Sequence, residues 1–289
     1  MYEHILLPFD GSENAAEALH HAGELAHWAD ATIQVLYVAD TTRDSVTVVE
    51  GETVDVLAQK GEDIVAEAAQ TLQTLGVAHE TDIVQGNPAP TIAEYAERYD
   101  QDLVVMPTHG REGLSRYVAG SVSEKVVRLS SVPVLTVRMQ PDETLAFPYE
   151  SFLVPTDGSA AAIHAAEHTL SLAASLDATV HVLSVVDDDT PGLDVRSTST
   201  GKESEQAAAD AVKTVLSEAE TRGVTETISH IQHGTPTEEI LDCIESNNVH
   251  AVGMATTGRR GTDRILLGSV AETTVRSAPV PVLTVADSS

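Results

Sequence analysis

The chain has few aromatic residues and a single cysteine. Aromatics make up 3% of its 289 residues, so a hydrophobic core has to be built from Val, Leu, Ile and Ala. Cys243 cannot form a disulfide within the chain, and its apolar neighbours indicate a buried, unreactive thiol. No apolar run reaches the roughly 18 residues that a membrane-spanning helix needs. We therefore expect a cytoplasmic protein that does not contact a membrane.

Positive charge is also scarce. The chain has 45 acidic and 16 basic residues, only four of them lysines, and a formal net charge of −29. In molar salt the Debye length falls to about 3 Å, which screens such self-repulsion. We interpret the composition as typical of a halophile, with a halophilic archaeon as the expected source. The alternative is a mesophilic protein that meets a basic partner. An acidic surface of this kind argues against nucleic-acid binding.

One sequence pattern occurs twice along the chain. Three segments of the first half recur in the same order in the second: 4–26 as 151–173, 85–97 as 233–245, and 103–137 as 251–285. This self-similarity indicates a tandem duplication. It predicts a first domain over 1–140, a linker over 141–149 and a second domain over 150–289.

Short apolar segments alternate with amphipathic ones in each half. In the first half we expect strands near 4–9, 32–38, 79–84, 102–106 and 133–137, and helices near 13–28, 56–75, 89–99 and 119–129. Apolar strands separated by helices predict an α/β fold with a doubly wound, five-stranded parallel sheet in each half. The polar segments 40–55 and 187–204 are expected to be long loops at the carboxyl edge of the sheet, where ligands bind.

The motif Pro-x-Asp-Gly-Ser follows the first strand of each half, as Pro8–Ser12 and Pro155–Ser159. It places Asp10 and Asp157 at the switch point of the sheet, where a carboxylate could hold Mg²⁺ or a ribose hydroxyl. The alternative is a purely structural role in which Asp10 or Ser12 caps the next helix, because Asp10 and Glu13 have the spacing of a capping box.

A glycine-bearing loop follows the fourth strand of each half. Gly110, nine residues and Gly120-Ser121 recur as Gly258, nine residues and Gly268-Ser269. Glycines let backbone N–H groups approach a phosphate at a helix N-terminus. The serines could instead start a capping box with Glu124 or Glu272. Five of the 16 basic residues fall in these loops, which favours an anion: Arg111, Arg116, Arg259, Arg260 and Arg264.

Together these motifs and the Pro-Val-Leu-Thr-Val strands that close each half resemble the universal stress protein family, in a tandem form. The resemblance covers nearly the whole chain. It implies an adenine-nucleotide alpha-hydrolase-like, Rossmann-like fold with strand order 3-2-1-4-5. Many members of the family bind ATP without rapid turnover, so it implies ATP, or AMP or ADP, as the ligand.

The resemblance also implies which residues hold the nucleotide and its Mg²⁺. In the first half they are Pro8, Asp10, Val38, Met106, His109, Gly110, Gly120, Ser121 and Val122. In the second half they are Pro155, Asp157, Val185, Met254, Thr257, Gly258, Gly268, Ser269 and Val270. Asp10 and Asp157 would contact Mg²⁺ through the nucleotide. ATP-binding members carry a further glycine where this chain has Pro107 and Ala255, and proline removes an N–H donor. We therefore expect the second site to be better kept than the first.

Three functions stay open at this point. The first is a nucleotide-binding regulator of the stress response, the second a slow Mg²⁺-dependent ATPase with no catalytic residue assigned, and the third a nucleotide-free interaction module. The family resemblance further implies that the last strands, Val134–Val137 and Val282–Val285, pair the two halves as an internal pseudo-dimer related by a pseudo-twofold. A homodimer of the whole chain would be a further step.

Overall fold

The computed structural model describes residues 1–40, 48–49, 52–53, 56–108, 121–138, 145–187, 198–258 and 267–287. The chain divides into two compact units, Met1–Phe147 and Pro148–Ser289. The boundary falls inside the segment 141–149 that we expected to be a linker. Tyr149 already belongs to the core of the second unit, because it is 1% exposed and packs edge-on against Phe152.

The first unit alternates strands and helices close to the expected bounds. Its elements are β1 (His4–Pro8), α1 (Glu13–Ala29), β2 (Thr32–Asp40), β3 (Val48–Val49), β4 (Glu52–Thr53), α2 (Val56–Leu75), β5 (His79–Gly86), α3 (Pro88–Arg98), β6 (Leu103–Pro107), α4 (Ser121–Leu129) and β7 (Val134–Val137). The antiparallel pair β3–β4 lies within the segment 40–55 that was expected to be a loop.

The second unit repeats this order without a counterpart of β3 and β4 among its described residues. Its elements are β8 (Ser151–Pro155), α5 (Ala160–Ser175), β9 (Thr179–Val186), α6 (Thr198–Arg222), β10 (Thr227–His233), α7 (Pro236–Ser246), β11 (Ala251–Ala255), α8 (Ser269–Ser277) and β12 (Val282–Val285). The prediction of a loop over the whole of 187–204 is wrong, because α6 begins at Thr198. Starting a helix is the costly step, and the packed turns of α6 have already met that cost. Extending the helix through a stretch rich in Ser, Thr and Gly then costs little.

Both units have the predicted strand order. In the first unit β1 pairs with β2 and β6, β2 pairs with β5, and β6 pairs with β7, all in parallel. In the second unit β8 pairs with β9 and β11, β9 with β10, and β11 with β12, again in parallel. Each unit therefore has the order 3-2-1-4-5, in which the first strand lies between two strands that lead away in opposite directions. This is the switch point where ligands bind in such sheets.

The central strands are covered on both faces. Ile5, Leu6 and Leu7 are consecutive residues of β1 and each is 0% exposed. Since neighbouring side chains of a strand point to opposite faces, their joint burial requires helices on both sides. The outer strands β5 and β10 differ, because most of their residues are half-buried or exposed. No helix in the described part of the chain is long and apolar enough to cross a membrane.

Candidate functional site

The Pro-x-Asp-Gly-Ser motif forms the same turn in both units. In the second unit Pro155 ends β8, Gly158 has φ 75°, and the Asp157 Oδ1 atom accepts a hydrogen bond from the Ser159 N–H at 2.9 Å. The positive φ explains the glycine, because L-residues with a side chain rarely adopt it. Ser159 is the N-cap of α5, and its hydroxyl accepts the Ala162 N–H at 3.2 Å.

In the first unit the N-cap of α1 differs from the expected one. Gly11 has φ 73°, Asp10 Oδ1 accepts the Ser12 N–H at 3.0 Å, and Ser12 is the N-cap of α1. A capping box that pairs Asp10 with Glu13 is therefore wrong, because Asp10 lies two residues before the cap. The aspartate orders the turn through one oxygen, which leaves the capping role to serine.

After the second loop, α8 begins one residue earlier than the sequence suggested. Gly268 is the N-cap, its N–H donates to the Thr256 carbonyl at 2.8 Å, and its own carbonyl accepts the Glu272 N–H at 2.9 Å. The prediction of a capping box led by Ser269 is wrong, since Ser269 is the first helical residue and is exposed. Its hydroxyl is therefore not required to start the helix.

Glycine at 268 is explained by close backbone approach. A Cβ atom there would lie 3.3 Å from the Thr256 carbonyl oxygen and 3.7 Å from the Thr257 Cα. The start of α8 is thus held against the end of β11. This arrangement directs the helix N-terminus, with its free N–H groups and favourable partial charge for anions, at the crevice beside β8.

The two motifs of the second unit meet at this crevice. A Cβ atom on Gly258 would lie 2.9 Å from the Asp157 Oδ2 atom, closer than real Cβ contacts. The carboxylate therefore lies directly over the Gly258 backbone, although the two residues are far apart in the chain. Asp157 uses one oxygen for its own turn and presents the other to the loop.

The apolar residues assigned to the second site line one side of the sheet. Met254 is 6% exposed and belongs to a buried cluster with Leu183 and Ile240, and Val185 and Val270 are half-buried and pack against that cluster. These side chains form an apolar wall next to the polar crevice. Thr257 is half-buried and Gly258 exposed at its rim.

The first site is described only in part. Pro8, Asp10, Val38 and Met106 lie on β1, β2 and β6 or in the turn after β1, and Val122 is half-buried on α4. Ser121 begins α4. The remaining residues assigned there lie outside the described residues: His109, Gly110 and Gly120. The five loop arginines of both units, Arg111, Arg116, Arg259, Arg260 and Arg264, also fall outside them.

A hydrogen bond at Pro107 distinguishes the first unit. The buried Ser123 hydroxyl of α4 donates to the Pro107 carbonyl at 2.6 Å, which ties α4 to the end of β6. The corresponding residues of the second unit are Ala255 and Ala271, which cannot make this bond. No motif points to Ser123, and only its replacement by alanine in the other repeat could have signalled its role.

The histidines and the cysteine have structural environments. His21 is 3% exposed, and burial lowers its pKa to about 4; burial, with His164 and Arg222 nearby, also lowers the pKa of His168 to about 4. His21 therefore lies on the buried face of α1. Burial raises the pKa of the Cys243 thiol. In the described ranges no group of three His, Cys, Asp or Glu side chains could hold a metal ion.

Comparison with known proteins identifies the family. A model of the universal stress protein family matches residues 1–138 and again 148–286. A universal stress protein of Methanocaldococcus jannaschii is 34% identical over 141 residues, covering 48% of this chain and 83% of that protein. The stress response protein NhaX of Bacillus subtilis is 31% identical over 163 residues, covering 47% of this chain and 98% of that protein.

A solved structure matches the chain along nearly its whole length. The crystal structure of a universal stress protein from Archaeoglobus fulgidus has a TM-score of 0.73 and 26% identity, and covers 98% of this chain and 98% of that one. With the two family matches and the strand order 3-2-1-4-5 in each unit, the chain belongs to the universal stress protein family, as two family domains in tandem.

Proposed function

We propose that the second unit binds an adenine nucleotide, ATP with its Mg²⁺, and that this binding serves a regulatory role in the stress response. The observation that carries the proposal is the approach of the Asp157 carboxylate to Gly258 where Gly268 starts α8. A carboxylate, a glycine-bearing strand end and a helix N-terminus converge on one crevice. Such a crevice suits a ligand with both hydroxyl and phosphate groups.

Each part of the crevice suits one part of the nucleotide. The Ser269 N–H and the backbone at Gly258 suit the phosphates, as do the arginines at 259, 260 and 264 in the sequence of the loop. Asp157 suits a ribose hydroxyl or phosphate-bound Mg²⁺. Because the described residues form no three-ligand cluster, Mg²⁺ would be held mainly by the nucleotide. The wall of Val185 and Met254 suits the adenine.

The first unit is proposed to bind nucleotide more weakly or not at all. Pro107 has no N–H to offer, and its carbonyl accepts the Ser123 hydroxyl. Ala255 in the second unit keeps its N–H. We therefore expect one tightly bound nucleotide for each chain rather than two.

The test has two parts. Denaturing the freshly purified protein and measuring the masses of the released small molecules by mass spectrometry would identify the resident nucleotide. Titration with ATP and Mg²⁺ in molar potassium chloride, followed by calorimetry, would give the stoichiometry and the Kd. No released nucleotide, together with no heat at millimolar ATP, would refute the proposal and leave the interaction module in its place.

Two glycine variants and one control locate the site. Gly258→Ala pushes the Asp157 carboxylate away, and Gly268→Ala strains the contact with the Thr256 carbonyl, so each should weaken ATP binding about tenfold or more. Gly201→Ala on α6, where a Cβ atom has no neighbour within 4 Å, should leave the Kd unchanged. Equal weakening by all three variants would contradict the assignment.

The slow-ATPase alternative rests on Asp157. If a water is oriented through Mg²⁺ beside this carboxylate, Asp157→Asn should abolish a slow release of phosphate while ATP still binds. Equal background rates in the parent protein and the variant would leave a binding protein without turnover.

A further inference from the structure

In the described part of the chain the outer strand of the second unit, β10, has a neighbouring strand on one side only. β10 pairs with β9 on one side and is the last strand of its sheet. Six of its seven residues are exposed, including Ile228 at 39% and Ile231 at 38%. Natural sheets commonly protect such an edge with charged residues, proline or a bulge.

β10 has neither proline nor acidic or basic side chains of Asp, Glu, Lys or Arg to protect this edge. Its sequence is Thr-Ile-Ser-His-Ile-Gln-His, without an acidic residue, a lysine or an arginine, in a chain of net charge −29. The equivalent strand of the first unit, β5, carries Glu80 and Asp82. Two copies of the acidic β5 edge would repel each other, whereas two copies of the β10 edge would not.

The direction of the backbone groups defines which residues could pair. The Val180 N–H donates to the Glu226 carbonyl at 3.0 Å, and the Gly234 N–H donates to the Val186 carbonyl at 3.1 Å. Even-numbered residues therefore turn their N–H and C=O groups toward β9. Since these groups alternate along a strand, the groups that point away from β9 belong to odd-numbered residues, among them Thr227, Ser229 and Ile231.

We propose that β10 pairs antiparallel with β10 of a second copy of this chain, with His230 on the twofold axis. This register makes Ser229 face Ile231 of the other copy, so that the outward N–H and C=O groups of both residues meet partners on either side of the axis. It also places Glu226 opposite Gly234 rather than opposite another carboxylate. The exposed Ile231 would lie diagonal to Ile231 of the other copy and gain apolar cover there.

The environment of His230 leaves the edge open for this contact. Its Nε2 atom lies 3.0 Å from the Nδ1 atom of His181 on β9, with the two rings inclined by only 14°. The His230 ring is therefore drawn back over β9 and does not cover the free edge. A pairing of single strands buries a small area, so the dimer should be weak and depend on concentration and on salt.

The first test removes one N–H group that points away from β9. Ser229→Pro removes an N–H that β9 does not use, so the unit should fold while the dimer Kd, from sedimentation equilibrium in molar potassium chloride, rises about tenfold or more. Thr81→Pro is the matched control on β5, where the outward groups also belong to odd-numbered residues, and it should leave the Kd unchanged. Circular dichroism checks that both variants fold.

Two further variants test the register independently of proline. Ser229→Glu with Ile231→Glu sets carboxylates directly opposite each other across the axis, so the dimer should be lost in dilute salt and partly recovered in molar salt. His230→Cys in a Cys243→Ala background should form a disulfide-linked dimer on oxidation, whereas Asp82→Cys in that background should not.

A monomer at every concentration would overturn the proposal. So would a dimer that Ser229→Pro and the double glutamate variant both leave intact, because it would have to form through another surface. All these measurements are made without nucleotide, so their outcome is independent of ATP binding by the second unit.

Discussion

The buried histidine of α1 gives a quantitative prediction about pH. Burial lowers the pKa of His21 from 6.5 to about 4. The Glu24 carboxylate lies 3.8 Å away and would favour the charged form, but its side chain is 56% exposed, so water screens this attraction and burial dominates. The unfolded chain therefore binds a proton at this residue more readily than the folded chain does.

The sign and the size of the effect follow from this difference. The stability that the first unit gains from keeping His21 neutral is present above pH 6.5. It is lost as the pH falls toward 4, because unfolding then takes up a proton. The whole difference corresponds to roughly 3 kcal/mol. About 2 kcal/mol of it develops between pH 7 and pH 5, a window that lies above the ordinary pKa range of carboxyl groups.

The assay can follow the first unit alone. Trp28 is the single tryptophan of the chain, lies on α1, and has its ring 6.1 Å from that of Phe147. Urea unfolding followed by tryptophan fluorescence should show a free energy of unfolding that falls by about 2 kcal/mol from pH 7 to pH 5. His21→Leu should remove most of this fall, whatever its effect at neutral pH.

The exposed neighbour His20 provides the control. His20→Leu changes the same residue type one position away on the solvent side of α1, so the pH dependence of the parent protein should persist. If His21→Leu retained the full dependence, or if His20→Leu removed it, burial of His21 would not be the cause.

Other predictions concern single contacts within each unit. Gly253→Ala places a Cβ atom into the Thr169 side chain on α5 and should destabilise the protein by about 2 kcal/mol, with Thr169→Ala restoring part of the loss in a double-mutant cycle. Ser123→Ala removes the buried hydrogen bond to Pro107 and should lower the free energy of unfolding reported by Trp28 by about 1–3 kcal/mol. Ser159→Ala removes the α5 cap and should cost about 1 kcal/mol in chemical denaturation. A loss below the error of measurement in any of the three would show that the contact contributes little.

The fold could be predicted from the sequence almost completely, because its signals are strong and independent of long-range contacts. Apolar runs such as His4–Pro8 are repeated at the equivalent place in the other half, as in Ser151–Pro155, and both became central strands. Right-handed crossovers and the family resemblance then restrict the order of strands to one solution. The bounds of α2 agree to the residue.

The helix starts were predicted less well, because capping depends on the backbone as well as on residue type. Asp10 and Ser269 both have capping-box spacing, yet Ser12 and Gly268 are the N-caps. At Gly268 the deciding factor is the hydrogen bond to the Thr256 carbonyl, which brings the backbones so close that a Cβ atom would be crowded. Spacing in a sequence does not reveal such an approach between elements.

The residues that flank the two repeated loops differ, and this difference could be interpreted only from sequence and structure together. The sequence shows proline at 107 and alanine at 255, which suggests only a missing donor in the first unit. The structure adds the Ser123 hydroxyl, which holds α4 against β6 through the Pro107 carbonyl. In the second unit Gly268 makes the corresponding connection from the loop to the strand, through the Thr256 carbonyl. The Ser123 hydroxyl belongs to α4 itself, so its hydrogen bond to β6 holds this helix in place whether or not the preceding loop binds a ligand.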